Sequence, residues 1–205
     1  MKPLAILLLA TAACAAQKAA AQKPAAPKPP RLSFVNDIVP ILTKAGCANS
    51  NCHGSIRGQN GFKLSLFGYE PEQDYEAITK DADGRRIDRA QPPKSLILLK
   101  PTFQIAHGGG QRFPVGSLEY TAILDWLRQG AQFDSVGSPR IVSLRVSPAE
   151  IILPAAGAAT KLKVVANYSN GYSEDVSAKV QYTPNDETVV EVRSEERRVG
   201  KECRL

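Results

Sequence analysis

Apolar positions follow a helical rhythm in the first half of the chain and a strand rhythm in the second. From Ser33 to Gly46, Phe34, Ile38, Ile41 and Leu42 share one helical face. Asn36 can cap this segment, Pro40 fits only in its first turn, and Gly46 ends it. A stronger helix is predicted after Ser117, where Leu118, Ala122, Ile123, Trp126 and Leu127 recur at helical spacing before Gly130. Between the two, Gly61–Gly68 alternates apolar and polar residues like a short strand or extended loop. Pro71–Ile78 reads as a helical turn begun by proline, and Ser95–Lys100 as a short apolar segment. Beyond Ser138-Pro139 the texture changes to short β-rich runs: Ile141–Val146, Glu150–Leu153, Thr160–Tyr168, Val180–Thr183 and Val189–Val192. Leu162, Val164 and Ala166 alternate with Lys161, Lys163 and Val165, the pattern of a half-buried strand. The expected fold class is therefore α + β and multidomain, with a small all-α domain over residues 32–134 and an incomplete β-sandwich over 139–193.

The two ends have a different character. Lys2, the apolar run Leu4–Ala10 and the small residues up to Ala16 read as a leader over residues 1–16, too short to span a bilayer. It suits either a signal peptide cut after Ala15 or a lipoprotein leader in which Cys14 carries lipid and tethers the chain to a membrane. Both destinations are outside the cytoplasm, in the periplasm or cell envelope. Residues 17–31 form an Ala/Pro/Lys linker without a core. The net charge of +6 comes from the ends: Lys2, Lys18, Lys23, Lys28 and Arg31 precede Leu32 with no acid among them. Charges from Leu32 to Arg193 cancel, so the basic balance gives no reason to expect a nucleic-acid partner. Residues 194–205 are a charged run without a strand pattern and read as a non-native tail in which Cys203 carries no function. The sandwich looks cut short, and the chain reads as the N-terminal piece of a longer polypeptide.

Candidate chemistry is concentrated in Cys47-Ala-Asn-Ser-Asn-Cys52-His53-Gly54. Two cysteines with a histidine directly after the second form the attachment signature of c-type haem. The thiols add across the two vinyl groups of the porphyrin, and the histidine binds the iron as proximal ligand. Four residues separate the cysteines here where the common motif has two, but a longer loop can still present both sulfurs to one porphyrin edge. The same spacing suits a Cys47–Cys52 disulfide in an exported structural module; His53 favours haem. The only methionine is Met1, in the leader, and the only other histidine is His107. A lone surface histidine is the plain reading of His107. Its place on the Gly108-Gly109-Gly110 loop, where the backbone can approach a flat ligand, makes it the candidate distal ligand. A haem enzyme would instead need that iron position open. Arg85, Arg86 and Arg89 read as a solvated basic loop, with pairing to haem propionates as the alternative. The glycines at 108–110 lack the Lys-Ser/Thr of a nucleotide loop, and no hydrolase triad is seen.

These segments also carry a resemblance. Phe34–Leu42, Gly46-Cys47 through Cys52-His53-Gly54, Gly61–Tyr69, His107–Gly110 and Trp126–Ala131 resemble the cytochrome c domain at the head of large exported proteins of planctomycetes and related bacteria. In that family the longer cysteine spacing is usual. The resemblance covers about a hundred residues and implies covalent haem c and electron transfer with an unnamed redox partner. In such domains a terminal helix with an aromatic residue packs across the N-terminal helix. Leu144–Pro148, Ala166–Ser177 and Asn185–Val192 resemble the bacterial Ig-like fold of the group-2 type, which implies a spacer or adhesion module.

Overall fold

The structure is a computed structural model describing residues 31–193 together with Arg198–Val199. The leader, Cys14, most of the linker and most of the tail with Cys203 lie outside the described residues. Helices come first and a small antiparallel sheet follows, so the chain is of mixed α and β structure.

The first helix opens with a wide π turn, Phe34–Ile38, which runs into α1, Val39–Lys44. Pro40 explains the wide turn. Its nitrogen cannot donate to the Asn36 carbonyl and its ring would press on that group, so the chain takes longer i→i+5 bonds around it. The cap is Ser33 and not Asn36: the Ser33 hydroxyl accepts from the Asn36 N–H at 2.8 Å. Gly46, at φ 76°, ends α1, and the next amide, Cys47 N–H, reaches back to the Leu42 carbonyl at 2.9 Å. The glycine stop therefore also launches the cysteine loop.

Helix α2 spans Pro71–Thr79, α3 is the single turn Leu96–Leu99, and α4 spans Leu118–Arg128. Ser117 caps α4 by accepting from the Tyr120 N–H at 3.2 Å. Gly130 ends the helix at φ 99° while Ala131 N–H returns to the Trp126 carbonyl. The buried face is Ile123, Leu124, Trp126 and Leu127; Leu118 is exposed. Trp126 meets Phe34 with ring centroids 5.4 Å apart, and Tyr75 meets Phe34 edge-on at 5.4 Å. The first helix and α4 thus pack together. The unit is closed at its ends by Leu32 N–H to Gln129 Oε1 and Val35 N–H to Asp134 Oδ2.

Gly61–Gly68 is not a strand. Gln59 and Phe62 close a tight hairpin, and Leu66–Gly68 forms a 3₁₀ turn in which Phe67 has left-handed backbone (φ 56°). Of the two readings of the alternation the loop holds: Leu64 alone is buried, while Leu66 and Phe67 face solvent.

In the second half, β1 (Ile141–Ser147), β3 (Lys163–Tyr168) and β4 (Ser173–Asp175) form an antiparallel sheet in the order β1-β3-β4. The alternation in β3 is as expected: Val164, Ala166 and Tyr168 are buried against Val176. A second ladder joins the two-residue strands β2 (Thr160–Lys161), β5 (Val192–Arg193) and β6 (Arg198–Val199). The tail thus supplies a short pairing that its charged sequence did not suggest. Glu150–Leu153 and Val180–Thr183 form no strands. Pro148 and Pro154 bracket the first run and Pro184 follows the second, and proline cannot donate to a ladder.

Candidate functional site

Cys47, Cys52, His53 and His107 line one cavity of about 430 Å³. The sequence brings them there by two routes. The loop after α1 is wound on itself: His53 N–H donates to the Cys47 carbonyl at 3.0 Å, and Gly54 N–H to the Asn49 carbonyl at 3.1 Å. Gly54 has to be glycine, since a Cβ there would collide with the Ala48 carbonyl. From the other side the His107 loop leaves α3 and returns through Arg112 N–H to the Pro101 carbonyl at 2.7 Å.

The two imidazoles are nearly parallel, 8° between planes, with centroids 6.4 Å apart. Each has its Nδ1 on a backbone carbonyl, His53 on Phe62 and His107 on Gly110, both at 2.9 Å. A carbonyl only accepts, so each Nδ1 carries a hydrogen, and a ring in its neutral form then has its lone pair on Nε2. This is how ligating histidines are usually oriented by their second nitrogen. Two imidazoles bound end-on to one metal through bonds of about 2 Å place their centroids about 6 Å apart, the spacing found here. Burial, with help from His107, Arg86 and Lys100, holds the His53 pKa below the usual histidine value despite its hydrogen bond to Phe62. His53 is therefore neutral at neutral pH, the form that binds metals.

Both cysteines are free thiols, Cys47 buried and Cys52 half-buried. Burial pushes the Cys47 thiol up to about 11, against the pull of Arg112. It is protonated at neutral pH, and no disulfide joins the pair. Among the described residues, no three His, Cys, Asp or Glu side chains converge as a self-sufficient metal site. An ion held between His53 and His107 would take its other ligands from elsewhere, as a macrocycle provides.

The wall is apolar at Leu42, Phe62, Leu64 and Ile97. Arg85, Arg86, Lys100 and Arg112 also line it, with no carboxylate. An apolar slot lined with cations suits a flat ligand with anionic substituents. The three glycines have different roles. A Cβ at Gly109 would stand 3.0 Å from His107 Cε1, Gly110 needs its φ of 66°, and Gly108 has open space.

Several contributors were not legible beforehand. Arg86 is buried and not solvated as the basic cluster suggested; its guanidinium sits over the Phe62 ring, 4.6 Å from the centroid. Phe62 in turn packs on His53 at 4.4 Å. Arg112 bridges the two loops, donating from Nε to the Ala45 carbonyl at 2.5 Å and from Nη1 to Gly109 at 3.4 Å. Among these only the arginine run was visible in the sequence, and it gave no sign of which arginine turns inward. The chain matches no protein-family model, no curated protein and no solved structure.

Proposed function

We propose that this chain is an exported c-type haem protein that transfers electrons as the head of a larger cell-envelope protein. The observation that carries it is the joint placement of Cys47, Cys52, His53 and His107 on one cavity, with the imidazoles parallel at 6.4 Å and both Nδ1 atoms engaged. Cys47 and Cys52 would hold haem c through thioethers, each S–H adding across one vinyl group with no other reactant. His53 would be the proximal ligand and His107 the distal one. Bound there, haem supplies one-electron exchange between ferric and ferrous iron. The protein's part is to present the two imidazoles with Nδ1 engaged, exclude water with Leu42, Leu64 and Ile97, and balance anionic substituents with the cations along the wall. Free thiols favour this reading over a disulfide module, and a second imidazole on the same cavity, parallel to the first, favours it over an enzyme with an open iron position. Residues 139–193 are read as an Ig-like module serving as spacer.

The test is mass spectrometry and absorption spectroscopy of the chain made with a cytochrome c maturation system. Mass increased by one haem and a Soret band that survives acid-acetone extraction are expected; an unmodified mass sinks the proposal.

A further inference from the structure

Arg86 is the only buried lysine or arginine among the described residues, with 6% of its surface exposed. Its guanidinium donates from Nη1 to the Ala77 and Asp81 carbonyls, at 2.8 and 3.0 Å, and from Nη2 to the Gly61 carbonyl at 2.8 Å. All these acceptors are neutral. Among the described residues no carboxylate is in ion-pair distance of it, although the Asp81 side chain acts on it at longer range. Taking a guanidinium out of water is costly, and three carbonyls do not neutralise it. One α2 carbonyl and two loop carbonyls could be joined by a neutral donor; a full charge is more than that task requires.

The placement of the charge suggests what it does. Arg86 packs over Phe62, and Phe62 packs on His53 while its own carbonyl holds His53 Nδ1. Residue 62 thus fixes the ring proposed to bind iron and carries a cation against its own ring. In a partly desolvated site the field of such a charge is screened far less than at the surface.

We infer that Arg86 is a tuning residue that raises the reduction potential of the centre. The inference rests on the haem reading. When ferric iron takes up one electron, with no proton and no bond change, the centre loses one unit of positive charge. A fixed cation nearby repels the ferric state more than the ferrous, so it favours reduction. Two imidazoles lower the potential relative to a His/Met pair, and Arg86 works against that lowering.

The experiment uses the full chain matured with haem, the haem content checked by mass, and the midpoint potential read by mediated titration. Arg86→Gln keeps donors for the carbonyls and removes the charge; its potential falls. Arg86→Lys keeps the charge and stays close to the wild type. Asp81→Asn, an exposed change that removes the opposing charge, raises the potential. If Arg86→Gln does not fold, the Asp81→Asn shift decides alone. Equal shifts in Arg86→Gln and Arg86→Lys, or no rise in haem-loaded Asp81→Asn, overturn the role of Arg86 and leave the haem reading intact. A wild type that takes up no haem ends both.

Discussion

Single residues settle whether the cavity works as proposed, and His107 is the sharpest test. His107→Ala should convert a low-spin spectrum to high-spin and let added imidazole or cyanide bind readily; an unchanged spectrum removes His107 from the iron. His107→Met should raise the midpoint potential, since thioether sulfur favours ferrous iron. The glycines give a graded series. At Gly54 a Cβ meets backbone, which cannot swing aside, so Gly54→Ala should cost about 1–3 kcal/mol and depress haem attachment. Gly109→Ala displaces the His107 ring and should alter the spectrum at little cost in stability, while Gly108→Ala meets nothing and should alter neither. At this scale the sequence was readable where chemistry is rare. Two histidines and a paired cysteine motif leave few choices, whereas Arg86, Phe62 and Arg112 belong to common residue types whose orientation depends on contacts made across the fold.

At the scale of elements, the first helix and α4 are each fixed by a serine cap at one end and a glycine at the other. Ser33→Ala and Ser117→Ala should each lower stability by about 1 kcal/mol, read from urea midpoints at unchanged slope. Asn36→Ala should cost less, because Asn36 donates its backbone N–H to the Ser33 cap and uses its side chain only toward the Pro139 carbonyl. Helix α4 was legible because four of its apolar residues face one core and both of its boundary residues are explicit. The cap of the first helix was misplaced by three residues because Ser33 and Asn36 are equally good caps, and only the π turn before Pro40 selects between them. Gly61–Gly68 took the loop and not the strand form of its two readings. Period-two alternation predicts a strand when a partner exists to pair with, and here the tight Gln59–Phe62 hairpin and the Phe67 turn remove the partner. In β3 the partners are present, and its alternation is matched by burial.

For the molecule as a whole, the apolar residues form two separate clusters, one among the helices and one under β3. Polar ties link them: Lys179 reaches Asp37 at 2.9 Å and Glu174 at 2.8 Å, and Lys44 reaches the Ala178 carbonyl at 2.7 Å. Burial alone would lower the Lys179 pKa, but the two carboxylates raise it above the ordinary lysine value. A raised folded-state pKa means its stabilisation is complete below the unfolded value of about 10.4 and is lost as pH rises through the folded one. Lys179→Met should therefore cost up to about 1 kcal/mol at neutral pH, as partly exposed pairs do. The gap to the wild type should close in alkaline solution, and a gap constant with pH would refute the ionic origin. The sheet depends on such ties because its own core is open. Leu144 pairs with Ala166 and Val146 with Val164, which puts all four on one face. Yet Val164 and Ala166 are covered, while Leu144 and Val146 remain 55% and 46% exposed. A three-stranded sheet with half its apolar face in water buries too little to offset chain entropy, and among the described residues β1 has an unpaired edge. Residues 139–193 alone should consequently show no cooperative melt and should aggregate on concentration, whereas residues 31–138 should melt cooperatively by themselves. A monomeric, cooperatively melting 139–193 segment would show that its core is complete without any further strand.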